Sequence, residues 1–327
     1  MNAPTVNVMQ KAWDCLIILD ACRYDAFERI HREFLDPAPL DAVDSVGTCT
    51  SEWRNKTFTG AYPDTVYVSA NPYITGGKSV DGFDGGARFF RVVDVWRTGW
   101  DHERGTVLPA TVTRQALRAL VTYPDKRVII HYLQPHAPYL SLGTHFQGFP
   151  TPSPSERLPI SGLSHGPSDR PWQKTLFNRL LPLARRTRLF GDPPVWRLRQ
   201  LLGMAPQSPM DAVRRALGRK GLRKAYEDNL RGVLADVATL LPYLEGTVII
   251  TADHGERLGE GDRYTHGPAI DDPLLRRVPW FVMHRTRQRP LPARESLEPE
   301  SVGPPQVDNA DERARIEERL RALGYME

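Results

Sequence analysis

Asp253 and His254 stand side by side where the apolar run TVIITA (247–252) stops, in the tetrad Asp253-His254-Gly255-Glu256, and His266 follows twelve residues after His254. An acid and an imidazole adjacent at a strand end can both reach one cation, because the chain leaves extended geometry there. A mixed carboxylate and imidazole set suits zinc or manganese better than calcium, which prefers oxygen alone. Two other apolar runs end the same way: Asp20 closes CLIILD, and His136 lies just past RVIIHYL. A lone Asp at a strand end is commonly the cap of the next helix, and a lone His an ordinary polar residue. Three such ends in one chain point instead to a shared site.

These residues need a scaffold that gathers strand ends. The short continuous apolar runs 15–20, 65–70, 127–133, 247–252 and 278–283 predict buried strands. Helical periodicity follows Asp20 and recurs at 111–123, 222–244 and 311–325. Strands alternating with helices predict an α/β fold, a mostly parallel sheet covered by helices on both faces. In such sheets ligands collect beyond the carboxyl ends of the strands, which is where the acids and histidines fall. Residues 71–105 predict a loop and 284–310 a Pro- and charge-rich linker. Arg23 and Asp25 predict an ion pair at the helix start after Asp20; Trp53 and Tyr139 are expected to pack.

With 327 residues, 40% of them hydrophobic and 25% charged, the chain can bury a large core, which excludes the disordered classes. One catalytic domain over 1–327 accounts for the length. Three cysteines, Cys15, Cys22 and Cys49, argue against a disulfide framework and for a reducing compartment. No secretory signal is legible and no apolar run approaches the ~18 residues of a membrane span. The expectation is a cytoplasmic protein.

The motifs resemble those of the alkaline phosphatase superfamily, in its sulfatase-like and phosphoethanolamine-transferase-like branches. LIILDACRYDAF looks like the opening strand with its metal-binding acid. TADHGERLGEGDRYTHGP followed by RRVPWFVM is similar to the Asp-His-Gly-Glu signature, its later His and the next strand. HYLQPHAPY and RLRALGYME resemble further family segments. The resemblance implies a nucleophile in VGTCTSEWRNKTFTG: counting ten back from Gly60 gives Thr50, with Thr48, Cys49 and Ser51 as neighbours. It also places Arg54 where sulfatases carry a charge-stabilising arginine. The sulfatase modification motif is absent, because Thr50 cannot be oxidised to formylglycine and Glu52 stands where proline belongs; counted from Cys49, Ser51 and Trp53 occupy the key positions.

The resemblance implies a metal-dependent hydrolase or transferase of phosphate esters that works through a phospho-threonine. Asp20, Thr50, Asp253 and His254 would hold one divalent metal, zinc or manganese. His136 and His266 would bind substrate or a second metal, with His131 and Asp262 as remaining polar candidates. The alternatives are a sulfuric-ester hydrolase, a non-catalytic protein that keeps the fold, and a phosphoglycerate-mutase-like enzyme, for which no second ligand set is found.

Residues 141–221 interrupt the α/β rhythm with a Pro/Ser/Gly-rich loop and then short amphipathic segments. Between 170 and 224 fourteen basic residues face only Asp192 and Asp211, interleaved with Trp, Phe and Leu. Basic and aromatic residues on opposite helix faces describe either a lid or a patch for an anionic membrane surface or polyanionic substrate. No nucleic-acid partner is expected.

Overall fold

The computed structural model describes residues 3–77, 79–146, 170–187 and 194–297; side chains at 185–187, 194 and 195 are also outside the description. The expected helix 311–325 and the ending RLRALGYME lie outside these residues. The chain divides into two compact units, residues 1–291 and 292–327, and the first carries everything below.

Its elements run β1 (Thr5–Val6), β2 (Cys15–Leu19), α1 (Tyr24–Ile30), β3 (Leu40–Ser45), α2 (Thr50–Thr57), β4 (Tyr62–Ser69), α3 (Gly85–Arg88), β5 (Phe89–Asp94), α4 (Val95–Thr98), β6 (Trp100–Asp101), β7 (Thr106–Val107), α5 (Pro109–Thr122) and β8 (Arg127–Tyr132). Then come α6 (Pro171–Thr187), α7 (Pro194–Leu201), α8 (Pro209–Leu240), β9 (Gly246–Thr251), β10 (Leu258–Glu260), β11 (Arg263–Tyr264), α9 (Pro273–Arg276) and β12 (Arg277–Arg285).

Eight strands form the central sheet in the order β1-β3-β12-β9-β2-β8-β4-β5. All neighbours pair in parallel except β12, which is antiparallel to both β3 and β9. The α/β class and the mostly parallel sheet are as expected. Every residue of β2 is buried, because its two faces meet different layers. Ile17 and Leu19 pack with Phe27 of α1, Ala116 of α5 and Leu230 of α8; Leu16 and Ile18 pack with Trp53 of α2, Phe58 and Tyr67. The period-2 alternation of a strand thus feeds two cores, with helices on both sides.

Three strands of the central sheet went unpredicted. β1 has two residues. β3 reads LDAVDS, with two acids and a half-buried face of Leu40, Ala42 and Asp44, so no apolar run marks it. β5, FFRVVD, lies in the stretch expected to be a loop: residues 71–105 also hold α3, α4 and β6. The insertion ends earlier than its predicted boundary at 221. Ser208 caps α8, its hydroxyl accepting the Asp211 N–H at 3.2 Å, and the helix passes through a break at Gly218, whose φ of +67° glycine tolerates. Met210 and Val213 already belong to the main core. No helix among the described residues is long and apolar enough to cross a membrane.

Candidate active site

At the carboxyl ends of β2, β8 and β9 the chain brings Asp20, His131, Asp253 and His254 around the hydroxyl of Thr50. Thr50 is the first residue of α2. Its Oγ1 donates to Asp253 Oδ2 at 2.7 Å and lies 3.5 Å from His254 Nε2. His254 Nε2 lies 3.6 Å from Asp20 Oδ1 and 3.5 Å from Asp253 Oδ2. All of these side chains are buried.

Local backbone geometry aims each group. Ala21, directly after Asp20, has φ of +59°, a left-handed conformation that an L-residue adopts only when its surroundings compel it. Tyr226 of α8 supplies that constraint: its hydroxyl donates to the Ala21 carbonyl at 2.7 Å and accepts the Arg23 N–H at 2.9 Å. The Ala21 and His254 N–H groups both donate to Asp253 Oδ1, at 3.2 and 2.9 Å, so Oδ2 faces Thr50. His254 Nδ1 lies 2.8 Å from the Gly255 carbonyl; donating there leaves the lone pair on Nε2, toward the carboxylates. Gly255 is required by close approach: a Cβ there would strike the Leu274 carbonyl.

The polar side chains of the 48–51 run have different partners. Thr48 Oγ1 is held by Glu52 and the Gly267 carbonyl, at 2.7 and 2.8 Å, and Cys49 Sγ faces Ser51 Oγ at 3.3 Å. Thr50 is the member of this run whose hydroxyl meets Asp253.

Two participants carried little or no sequence signal. His131, a weak candidate inside strand β8, is wholly buried; its Nδ1 pairs with the Tyr67 hydroxyl at 2.9 Å. Among the described residues its Nε2 has no hydrogen-bond partner, and it lies 3.8 Å from Asp20 Oδ2 and 4.0 Å from Asp253 Oδ2. Asn71, just beyond β4, donates from Nδ2 to Asp20 Oδ2 at 2.6 Å and reaches Thr50 Oγ1 at 3.3 Å. No motif flags it; only the position after a strand end could have.

Arg54 sits elsewhere than expected. Its buried guanidinium donates to the carbonyls of Tyr73 and, at 2.7 Å, Val80, and lies over the Phe83 ring. It braces the loop that carries Asn71, whose Oδ1 accepts the Tyr73 N–H at 2.9 Å. Asp262 is also outside the site, ion-paired with Arg197. The expected ion pair of Arg23 and Asp25 is present at 2.8 Å, and Trp53 and Tyr139 are buried in the core as expected.

A second cluster adjoins the first. His266 Nδ1 lies 3.1 Å from Glu256 Oε2, and its ring centre is 4.2 Å from that of His254 and 5.3 Å from that of His136. Asn229 of α8 positions His136, its amide donating to the His136 and Pro138 carbonyls at 3.2 and 2.8 Å. Asp20, His131 and Asp253 have ligand atoms within 4.8 Å of one another, and so do His136, Glu256 and His266.

Burial and mutual proximity shift the titratable groups of the site. Burial, and then the nearby Asp253 carboxylate, push the Asp20 carboxyl well above the carboxylate range. Burial alone would raise Asp253 too, but His254, His131 and the Thr50 hydroxyl hold it below. Burial drives His131, His136 and His266 down to about 4, which keeps the imidazoles neutral and able to ligate. Two carboxylates and two imidazoles converging on one buried hydroxyl, with an orphaned His131 Nε2 among them, fit a divalent cation; a bound cation would reverse the cost of burying the acids.

No family model matches the chain, and no curated protein does. Solved structures resemble it. The soluble domain of lipooligosaccharide phosphoethanolamine transferase A from Neisseria meningitidis has 13% identity and a TM-score of 0.46 over 86% of this chain and 82% of that chain. The C-terminal periplasmic domain of phosphoethanolamine transferase EptC from Campylobacter jejuni has 14% identity and a TM-score of 0.45 over 86% and 82%. Phosphonate monoester hydrolase of Agrobacterium radiobacter has 13% identity and a TM-score of 0.45 over 86% and 68%. At such identities the likeness concerns the fold.

Proposed function

We propose that this chain is a metal-dependent phosphoesterase or phosphotransferase in which Thr50 is the nucleophile. The observation that carries the reading is the Thr50 hydroxyl at the start of α2, 2.7 Å from Asp253 Oδ2, inside the cradle of Asp20, His131 and His254. A threonine hydroxyl is a poor nucleophile at neutral pH. Asp20, Thr50, Asp253 and His254, with His131 beside them, would hold one divalent cation, zinc or manganese. When bound, such an ion lowers the pKa of a ligating hydroxyl and offsets phosphate charge.

The protein's own groups do the rest. Thr50 sheds its proton toward Asp253 Oδ2, the acceptor it already faces. The bond from Oγ1 to phosphorus forms as the ester P–O bond opposite breaks. The N-terminus of α2 and the Asn71 amide stabilise the phosphoryl oxygens. The departing oxygen takes its proton from solvent, beside the neutral His266 that Glu256 holds in place. Water or an acceptor alcohol then attacks phosphorus, and the P–Oγ1 bond breaks to restore the hydroxyl.

Side-by-side turnover of an aryl phosphate, a bis-aryl phosphate and an aryl sulfate, with and without chelator, tests the reading. Chelator-sensitive phosphate-ester cleavage with little sulfate release supports it. Fast sulfate release, or phosphate-ester turnover indifferent to chelation and metal addition, contradicts it.

A further inference from the structure

Helix α6 hides one face and exposes another that is apolar. Gln173 and Ala184 are buried, the Gln173 amide donating to the Leu202 carbonyl beyond α7 at 2.7 Å. Trp172, Leu176 and Leu183 recur at helical spacing on a different stripe and are 55%, 37% and 59% exposed. Arg179 falls within that stripe and is also exposed. Leu201 of α7, 71% exposed, adjoins the Leu202 contact. Most of the large apolar side chains exposed among the described residues therefore cluster on this insertion. Monomeric soluble proteins rarely expose such a group together without use.

Charge selects the occupant. The sequence of α6 contains no acidic residue. On α7 and α8 much of the basic character is engaged internally: Arg214 and Arg215 pair with Asp211, Arg197 with Asp262 and Arg223 with Glu260. That corrects the expectation of one uniformly basic face. Lys174 and Arg179 are left at the surface of α6. A Trp/Leu stripe that carries Arg179 within it, on a helix without acids, matches the boundary between acyl chains and anionic head groups.

The insertion is also joined to the site. Trp196 of α7 packs on Tyr264 at 5.7 Å between ring centres, and Arg197 pairs with Asp262. Both contacts land on the β10–β11 hairpin, which lies between Glu256 and His266.

We infer that α6 docks this protein on the surface of an anionic lipid bilayer, with Trp172 and Leu176 in the interface and Arg179 at the head groups. This goes beyond the proposed chemistry and does not depend on Thr50. Full-length protein is sedimented with phosphatidylcholine vesicles and with vesicles containing phosphatidylglycerol, at low and high salt. The expected result is salt-sensitive binding to the anionic vesicles alone. Trp172→Ala/Leu176→Asp should weaken it by at least ~30-fold, and Arg179→Glu by about tenfold, with hydrolysis of a soluble aryl ester unchanged. Binding to neither vesicle, equal binding to both, or a dimer in solution that Leu176→Asp dissociates would overturn the inference. Loss of soluble-ester turnover in the wild type would instead count against the catalytic reading and leave docking standing.

Discussion

The Thr50 hydroxyl and the Asp253 carboxylate meet at 2.7 Å although 203 residues separate them in the chain. Asp253 faces Thr50 because its other oxygen is already held by two backbone N–H groups. Thr50→Ala removes the oxygen proposed to attack and leaves the acid in place. Its turnover of a phosphate ester is expected to fall by about 10³-fold or more, with an unchanged far-ultraviolet circular dichroism spectrum. Thr50→Ser is expected to keep part of the activity. Normal turnover in Thr50→Ala with loss in Ser51→Ala would show that the nucleophile register is wrong.

Metal content separates the ligands from their supports. Asp253→Ala and His254→Ala are each expected to abolish stable retention of zinc or manganese, read by elemental analysis after dialysis. His131→Ala should weaken affinity by roughly 10- to 100-fold, because its Nε2 points at both carboxylates without another partner. Full metal occupancy in all three variants would remove the cation from the account.

What could be read from the chain and what could not divide along physical lines. The buried strands were legible because β2, β8 and β9 are continuous apolar runs, covered on both faces. β3 and β5 were not, because polar residues interrupt them and only their neighbours in the sheet make them strands. Asp20, Asp253 and His254 announced themselves by ending strands. Asn71 and His131 did not: an Asn after a strand looks like a turn residue, and a His within one looks like packing. Their roles arise because β8 pairs with β2 and β4 pairs with β8, a sheet order that local sequence does not encode. Arg54 shows the converse: the resemblance gives it a charge-stabilising place, whereas its guanidinium bonds the carbonyls of Tyr73 and Val80.

Arg54→Ala is expected to destabilise the protein by about 2 kcal/mol, since it leaves the part-buried carbonyls of Tyr73 and Val80 without their donors. Denaturant unfolding reads the loss. Turnover should fall as well, through displacement of Asn71, and the conservative Arg54→Lys should restore part of both. A stable Arg54→Ala protein with only the catalytic step impaired would return Arg54 to the phosphate.

Acid sensitivity is expected at the Arg23 cluster. Arg23 bonds Asp25 at 2.8 Å and Glu260 at 2.6 Å. Burial alone would raise both carboxyls, but the Arg23 guanidinium holds each below its usual range. A depressed folded-state pKa means stability that is present above the unfolded value, about 4, and lost as pH falls through the folded one. Melting temperature should therefore drop below about pH 4, and Asp25→Asn/Glu260→Gln should flatten that part of the profile while lowering stability at neutral pH. A profile identical to wild type would contradict the assignment.

The most direct test of the central claim is to catch the covalent intermediate. Metal-loaded protein is mixed with a fast-leaving aryl phosphate ester, quenched in acid within the first turnover, digested and mapped by mass spectrometry. The account predicts a phosphoryl adduct on Thr50, absent in Thr50→Ala and in protein stripped of metal. An adduct on Ser51, Cys49 or a histidine, or burst-free turnover with Thr50 unmodified at every quench time, would contradict it.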